Sequence, residues 1–525
     1  MTSRRLVQAL FACVLACGCS SGNAAPGTYF VSDMHLGVGQ DAPKKWSALE
    51  DFRWNDAFEA FLNHLSVSTG DEAQLVILGD MVELWQSSRM ECKKVLGVVT
   101  CDVNDCVGRA TGCSEQEALD RLRHVVAQHG DTLQALGRFA ARGRNRVIIV
   151  PGNHDAALLF PAAAELLKKA IGGPADRVIV EMSGRWLSED GKVLAEHGHQ
   201  FDKVNSFDGW PKPFVDKGGK PVMERPGGEL LVQTFYNRYE QQFEAIDNFG
   251  TETEGIGYAV NDLGAKGLAV GTAELYYFFT MRSTIEQRFD WLGQEPEAGQ
   301  VEWNVAQIRK ENDARFVVDS LEPDSPEQQV LLAAYRKREL ASLFGQLTDE
   351  DIQTACDRVE LFRAERAKEP GKPPIESCPS TAGADANLGY FAGKVLQRDD
   401  QDMIAYLADT QNKLPDRSRA FALYVYGHTH SAKQPRPVEV TPEWEVTVVN
   451  TGAFQRIASH DFIAGLPVAE RNDPTFLSKL TLDRLPECYS FVALKNAGQK
   501  PAAALRYWRR DAKTQPWRET EECTR

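Results

Sequence analysis

Arg146-Val147-Ile148-Ile149-Val150-Pro151-Gly152-Asn153-His154-Asp155 is a short apolar, β-branched run that stops at a proline and a glycine, then presents an amide, an imidazole and a carboxylate in succession. A run of this length bounded by turn residues reads as a buried strand. The same punctuation recurs along the chain. Thr28 to Ser32 ends at Asp33-Met34-His35, Leu75 to Leu78 ends at Gly79-Asp80, Lys192 to Glu196 leads into His197-Gly198-His199, and Phe421 to Tyr426 leads into Gly427-His428-Thr429-His430. Each strand delivers polar residues at its C-terminal end. Val178 to Glu181 and Glu445 to Val449 read as further strands.

Helical patterns at Glu50 to Leu65 and Glu115 to Arg142 alternate with these strands, which predicts a βαβ series, a largely parallel sheet and an α/β fold. Between about Gln200 and Ala420 the alternation stops. Ser325-Pro326-Glu327-Gln328 supplies an N-cap, a proline at the first helical position and a reciprocal Gln, and Thr348-x-x-Asp351 supplies a second helix start. Ile352, Ala355, Val359 and Phe362 follow at helical spacing. Glu369 to Leu388, rich in Pro, Gly and Ser, reads as a linker. The apolar stretch Ile256 to Met281 carries Asn261, Asp262, Lys266 and Glu274, so it is read as core helix and not as a membrane span. The expected organisation is a leader at 1–18, a core at 19–200, a mainly helical insertion (a cap) at 201–420, the return of the core at 421–470, and C-terminal strands completing it at 471–525. Trp210, Trp291, Trp303 and the Tyr276-Tyr277-Phe278-Phe279 run are either the insertion's own core or the lining of an apolar pocket.

Composition fits a globular protein: of 525 residues, 43% are hydrophobic and 25% charged, with 41 Gly and 25 Pro, which excludes disordered and collagen-like chains. The formal charge of −15 is spread without a basic block, so no nucleic-acid partner is expected.

Arg4 and Arg5 precede an apolar run from Leu6 to Leu15, too short to span a bilayer, and small residues follow it. This is the pattern of a secretory signal. Leu15-Ala16-Cys17-Gly18-Cys19 resembles the lipobox of bacterial lipoproteins, which implies lipidation of Cys19. The alternative is ordinary cleavage near Ala24 or Ala25. The expected address is extracytoplasmic, on a bacterial membrane and tethered by lipid alone; Ser20 in place of an Asp retention signal favours the outer membrane, facing the periplasm. Eight of the eleven Cys lie beyond Cys19, an even number that suits disulfides in an oxidising compartment. Cys92, Cys101, Cys106 and Cys113 share one loop, and the expected distal bridges are Cys356 with Cys378 and Cys488 with Cys523. A zinc site in the 92–113 loop is the weaker reading, because it has no Cys-x-x-Cys spacing.

Six of the ten His fall in the five strand-end motifs. Carboxylate, imidazole and amide donors without thiolate suit divalent Mn, Fe or Zn. Glycines at the turns let the backbone approach closely. Each motif alone carries little information, and their order along one chain carries much more.

The set resembles the signature of the calcineurin-like metallophosphoesterase superfamily: Asp-x-His, Gly-Asp, Gly-Asn-His-Asp or Glu, a later His, and Gly-His-x-His. The likeness covers about residues 27–200 and 420–470. It implies an α/β/β/α sandwich with a long, mainly helical insertion. It also implies two divalent ions, one held by Asp33, His35 and His430, the other by Asn153, His197 and His428, with Asp80 bridging. His154 would contact the phosphate and leaving group, and Asp155 would orient its ring. His197 is preferred over His199 because the family's ligand precedes the glycine. Gly79-Asp80-Met81-Val82-Glu83-Leu84-Trp85 looks like the Gly-Asp-x-x-Glu-x-Trp of UDP-2,3-diacylglucosamine hydrolases. Those enzymes work on the cytoplasmic side, many carry Arg where His154 stands, and their cap is far shorter. Glu83 stands where purple acid phosphatases place a Tyr, which argues against a tyrosinate-ferric site.

What the resemblance implies for activity is hydrolysis of a phosphate monoester, diester or pyrophosphate, in a small-molecule or lipid-linked substrate, by metal-hydroxide attack. No Gly-x-Ser-x-Gly elbow competes with it. The alternatives are a UDP-2,3-diacylglucosamine-type pyrophosphate hydrolase and a non-catalytic scaffold with the same fold.

Overall fold

The strands end where the polar motifs begin. The computed structural model describes residues 27–262 and 399–523, apart from short stretches at 87–89, 96–97, 104–105, 107–110, 203, 250–254, 256–257, 260–261, 414–419, 472 and 498–499. The leader with Cys19, the aromatic run 276–279, Trp291, Trp303, the helix starts at Ser325 and Thr348, the linker, Cys356 and Cys378 lie outside the described residues.

Among the described residues, β1 (Thr28–Val31), β4 (Gln74–Leu78), β7 (Arg146–Val150) and β8 (Val178–Val180) run parallel in one sheet. On the free side of β1 the sheet continues antiparallel through β16 (Cys488–Ala497), β17 (Lys500–Arg509) and β18 (Arg518–Thr520). The sheet is therefore mixed, and its antiparallel half comes from the C-terminal segment. A second sheet has the order β14 (Lys433–Thr441), β15 (Trp444–Asn450), β13 (Leu423–Tyr426), β10 (Val193–Ala195) and β9 (Trp186–Leu187), with β10, β13 and β15 parallel. Among the described residues three hairpins complete the strand set: β2 (Gln40–Ala42) with β3 (Lys45–Trp46), β5 (Met90–Val95) with β6 (Val98–Val103), and β11 (Phe214–Asp216) with β12 (Pro221–Met223).

Period-two alternation divides the strand residues between faces. Phe30, Val76, Leu78, Ile148 and Val150 of the first sheet share a core with Val193, Ala195, Leu423, Val425 and Val449 of the second. Their neighbours Val31, Leu75, Ile77, Val147 and Ile149 pack instead with buried residues of α1 (Asn55–Ser68), α2 (Glu115–Gln128), α3 (Gly130–Ala141) and α4 (Pro161–Ile171). On the far side of the second sheet, Leu194, Tyr424, Tyr426 and Val448 meet Met403 and Leu407 of the helix Asp399–Lys413. The fold is mixed α/β. Phe58, Phe61, Leu62 and Leu65 fix α1 to the first sheet, and burial of each such side chain contributes about 1.5–3 kcal/mol.

The helical pattern Glu115 to Arg142 is two helices and not one. Ser114 opens α2 with a capping box to Glu117, and α2 stops at His129, whose backbone leaves the helical region. The buried His129 ring bonds Glu50 Oε2 at 3.1 Å, and Gly130 starts α3. The described part of the expected insertion holds the β11–β12 hairpin as well as short helices. Cys106 is bonded to Cys113 and Cys488 to Cys523, while Cys92 stands opposite Cys101 in the β5–β6 register.

Candidate metal centre

The five motif loops meet because their strands end side by side. Asp33 N donates to Gly79 O at 3.2 Å and His35 N to Asp80 O at 2.9 Å, which joins the loops after β1 and β4. His154 N donates to Asp80 Oδ1 at 2.9 Å, adding the loop after β7. From the second sheet, Gly427 N donates to His197 O at 2.7 Å and His428 N to Asp33 Oδ2 at 3.0 Å. A Cβ on Gly79 would sit 2.4 Å from His197 Nδ1, and one on Gly152 only 2.3 Å from Asp80 Oδ1. Both motif glycines are thus required by contact distance.

Asp33, His35 and His430 form one group of donor atoms able to hold a metal ion, and Asp80, His197 and His428 form another. Asp33, His35, Asp80, His428 and His430 all have φ between +49° and +69°. L-residues with side chains avoid this left-handed region, so five adjacent instances mark a backbone held in place by its surroundings.

The donor atoms that would face an ion are those left without hydrogen bonds. Asp33 Oδ1, Asn153 Oδ1 and His197 Nε2 are buried and have no hydrogen-bond partner. His197 Nε2 lies 2.9 Å from Asp80 Oδ2 without the alignment of a hydrogen bond, and His430 Nε2 lies 3.2 Å from His35 Nε2 and 3.6 Å from Asp33 Oδ1. Such orphaned acceptors in a dry interior are costly unless a cation satisfies them. In three of the four imidazoles one ring nitrogen is held from outside the donor groups: His35 Nδ1 meets Glu83 Oε2 at 3.0 Å, His197 Nδ1 donates to Leu78 O at 2.7 Å, and His428 Nε2 meets Asp202 Oδ2 at 3.0 Å. Partners of this kind fix the tautomer and aim the remaining nitrogen. That leaves His197 Nε2 unpartnered and His35 Nε2 facing only His430 Nε2.

Charge in this pocket is strongly coupled. Burial would lower the His35 imidazolium, but the Glu83 hydrogen bond and the Asp80, Glu83 and Asp33 charges hold its pKa up to about 10. For His197 burial is likewise outweighed, by Asp80 and Asp33, and the pKa stands at about 9. Burial also opposes ionisation of Asp80, yet the charges of His197, His154 and His35 hold it well below the usual carboxylate range. His430 goes the other way, to about 4, through burial that Asp33 only partly offsets, with the His35 charge adding to it. The pocket demands positive charge.

His154 stands at the rim. Its ring stacks on Trp85 with centroids 3.9 Å apart and meets the edge of His35 at 4.7 Å. Its Nδ1 bonds Glu83 Oε2, the same oxygen that holds His35. The ring-orienting contact expected of Asp155 is therefore made by Glu83. Asp155 instead accepts four backbone amides, from Gly152 at 2.6 Å, Met81 at 2.9 Å, Asp80 at 3.3 Å and Val82 at 3.4 Å, and so clamps the Asp80 loop to the Asn153 loop. His154 also opens onto a cleft lined by Leu84, Trp85, Ala156, Ala157, Phe207 and Met223.

His197 belongs to a donor group and His199 does not. His199 is fully buried, edge-on to Trp210 at 4.3 Å, and burial holds it well below its ordinary pKa. Glu83, Trp85, Asp202 and Asn205 were not singled out as functional from the sequence. The Gly-Asp-x-x-Glu-x-Trp spacing carried the signal for the first two; none marked the others. In comparisons with known proteins, no family model matches the chain, and no curated protein or solved structure matches it either.

Proposed function

We propose that this chain is a binuclear metal-dependent phosphoesterase of the calcineurin-like type, with its two sheets and flanking helices forming the α/β/β/α sandwich of that superfamily. The observation that carries the reading is the convergence of orphaned buried donors, Asp33 Oδ1, Asn153 Oδ1 and His197 Nε2, at the ends of five strands, with Asp80 Oδ2 2.9 Å from His197 Nε2 and 4.0 Å from His35 Nε2. Asp33, His35 and His430 would hold one ion, and Asn153, His197 and His428 the other, with Asp80 shared. Mn, Fe or Zn suits these N and O donors. When bound, such ions activate water and neutralise phosphoryl oxygens.

The chain's own groups then have separate tasks. Asp80 sets the spacing of the two halves, and Asp155 holds its loop. Glu83 and Trp85 immobilise the His154 ring through Nδ1 and one face, which leaves Nε2 to give a proton to the leaving oxygen. A metal assay paired with hydrolysis of p-nitrophenyl phosphate and bis-p-nitrophenyl phosphate tests the proposal and separates monoesterase from diesterase. A chain with two ions and no turnover on any phosphate ester is a scaffold.

We further propose that it works outside the cytoplasm, tethered through Cys19. The N-terminal sequence and the Cys106–Cys113 and Cys488–Cys523 disulfides support this address. A precursor unchanged by globomycin counts against the tether.

A further inference from the structure

The chain leaves the second sheet at His197 and immediately turns back over the ligands. Asp202 Oδ2 lies 3.0 Å from His428 Nε2, and Asn205 Nδ2 donates to that same Asp202 oxygen at 2.7 Å. Asn205 Oδ1 accepts from Asn153 Nδ2 at 3.4 Å, which leaves Asn153 Oδ1 as the amide's unpartnered atom. One residue pair thus decides which atom of His428 and which atom of Asn153 faces the centre. The turn itself is fixed: Val204 N donates to Asp202 Oδ1 at 2.9 Å, Ser206 N to Asp202 O at 2.7 Å, and Gly228 N to Val204 O at 2.9 Å. Gly228 packs so closely that a Cβ there would lie 1.7 Å from Asn205 Oδ1. The other donor group has its own support, since Glu83 holds His35 and makes no contact of this kind with His428 or Asn153.

We propose that Asp202 and Asn205 are positioning residues for the Asn153, His197 and His428 half of the centre, so that the start of the segment between the two core halves is part of the metal site. This rests on the binuclear reading above. The two ions would then have separate supports, Asp202 with Asn205 for one and Glu83 for the other. Outer carboxylates of metal-bound imidazoles are commonly worth about 10- to 100-fold in affinity.

The test is a Mn2+ titration of the full chain by calorimetry and electron paramagnetic resonance. Wild type is expected to take up two equivalents. Asp202→Ala should leave one equivalent unchanged and weaken the other about 10- to 100-fold, with the signal of a coupled pair giving way to that of isolated Mn2+. In a His35→Ala background, Asp202→Ala should weaken the remaining equivalent and Glu83→Gln should not. Gly228→Ala, which displaces Asn205 without altering any ligand, should reproduce the selective loss and covers the case of a misfolded Asp202 variant. Equal weakening of both equivalents, or of neither, in a folded Asp202 or Gly228 variant overturns the proposal. A wild-type chain that takes up fewer than two equivalents overturns the binuclear reading itself.

Discussion

The backbone amide of His428 donates to Oδ2 of Asp33 at 3.0 Å, across 395 residues of sequence. That bond seats the last motif on the first and works only because Gly427 has no side chain: a Cβ there would lie 2.2 Å from Ser32 Oγ and 2.7 Å from Asp33 Oδ2. Gly427→Ala is expected to destabilise the fold by about 1–3 kcal/mol and to lower metal affinity, because the two sheets must separate locally. Thermal unfolding with and without Mn2+ measures both effects.

The His154 ring belongs to neither donor group proposed to hold an ion, although it clusters with His35 and Glu83, and its contact with Asp80 is made by the backbone N–H, which a substitution keeps. His154→Ala should keep the ions and lose turnover by about 100-fold or more. Trp85→Leu should weaken the same step through ring mobility, and Trp85→Phe should restore most of it. The check is turnover on esters of strongly and weakly acidic phenols, with loss concentrated on the weakly acidic ones; an even loss would remove the assignment.

Metal uptake should release protons. His35 and His197 hold their protons up to about pH 10 and pH 9 in the metal-free fold, and their Nε2 atoms must be bare to bind. Affinity should therefore rise as pH increases from 7 to 9, and calorimetry in buffers of different ionisation enthalpy counts the protons. The same raised pKa values stabilise the metal-free fold below about 6.5, the unfolded value, and that contribution fades as pH rises toward 9–10. His430 and His199, whose pKa values lie below 6.5 in the fold, destabilise it at acid pH; that penalty fades as pH rises through 6.5, and they add no slope from about a unit above it.

Both carboxylate oxygens of Asp155 accept backbone N–H groups, two each. Asp155→Asn must turn an NH2 toward two donors whichever way it lies. A loss of about 1–3 kcal/mol is expected, with metal affinity falling as the Asp80 and Asn153 loops part, while His154 keeps its contact with Glu83. Denaturant titration gives the first quantity.

How far the sequence reached depends on the range of each interaction. The strands before Asp33, Asp80, Asn153 and His428 were legible because an apolar run and its turn are neighbours in the chain. Leu75–Leu78 and Arg146–Val150 lie within a residue of their observed bounds. The break at His129 was not legible, since it answers to Glu50 on another element. The family resemblance implied that Asp155 orients the His154 ring, whereas the turn that follows β7 sends the Asp155 carboxylate inward to backbone amides and leaves that contact to Glu83. Asp202 and Asn205 act on residues more than two hundred and about fifty positions away, and no local spacing encodes that.

The left-handed backbone at Asp33, His35, Asp80, His428 and His430 sets function against robustness. An L-residue with a side chain gives up about 1–2 kcal/mol in that conformation, whereas glycine adopts it freely. Each of these positions would relax its backbone by becoming glycine, and each would lose its donor in doing so. Selection for a sturdier fold alone would favour glycine at these positions, so the fold carries a standing cost for side chains whose benefit lies elsewhere, in the proposed centre.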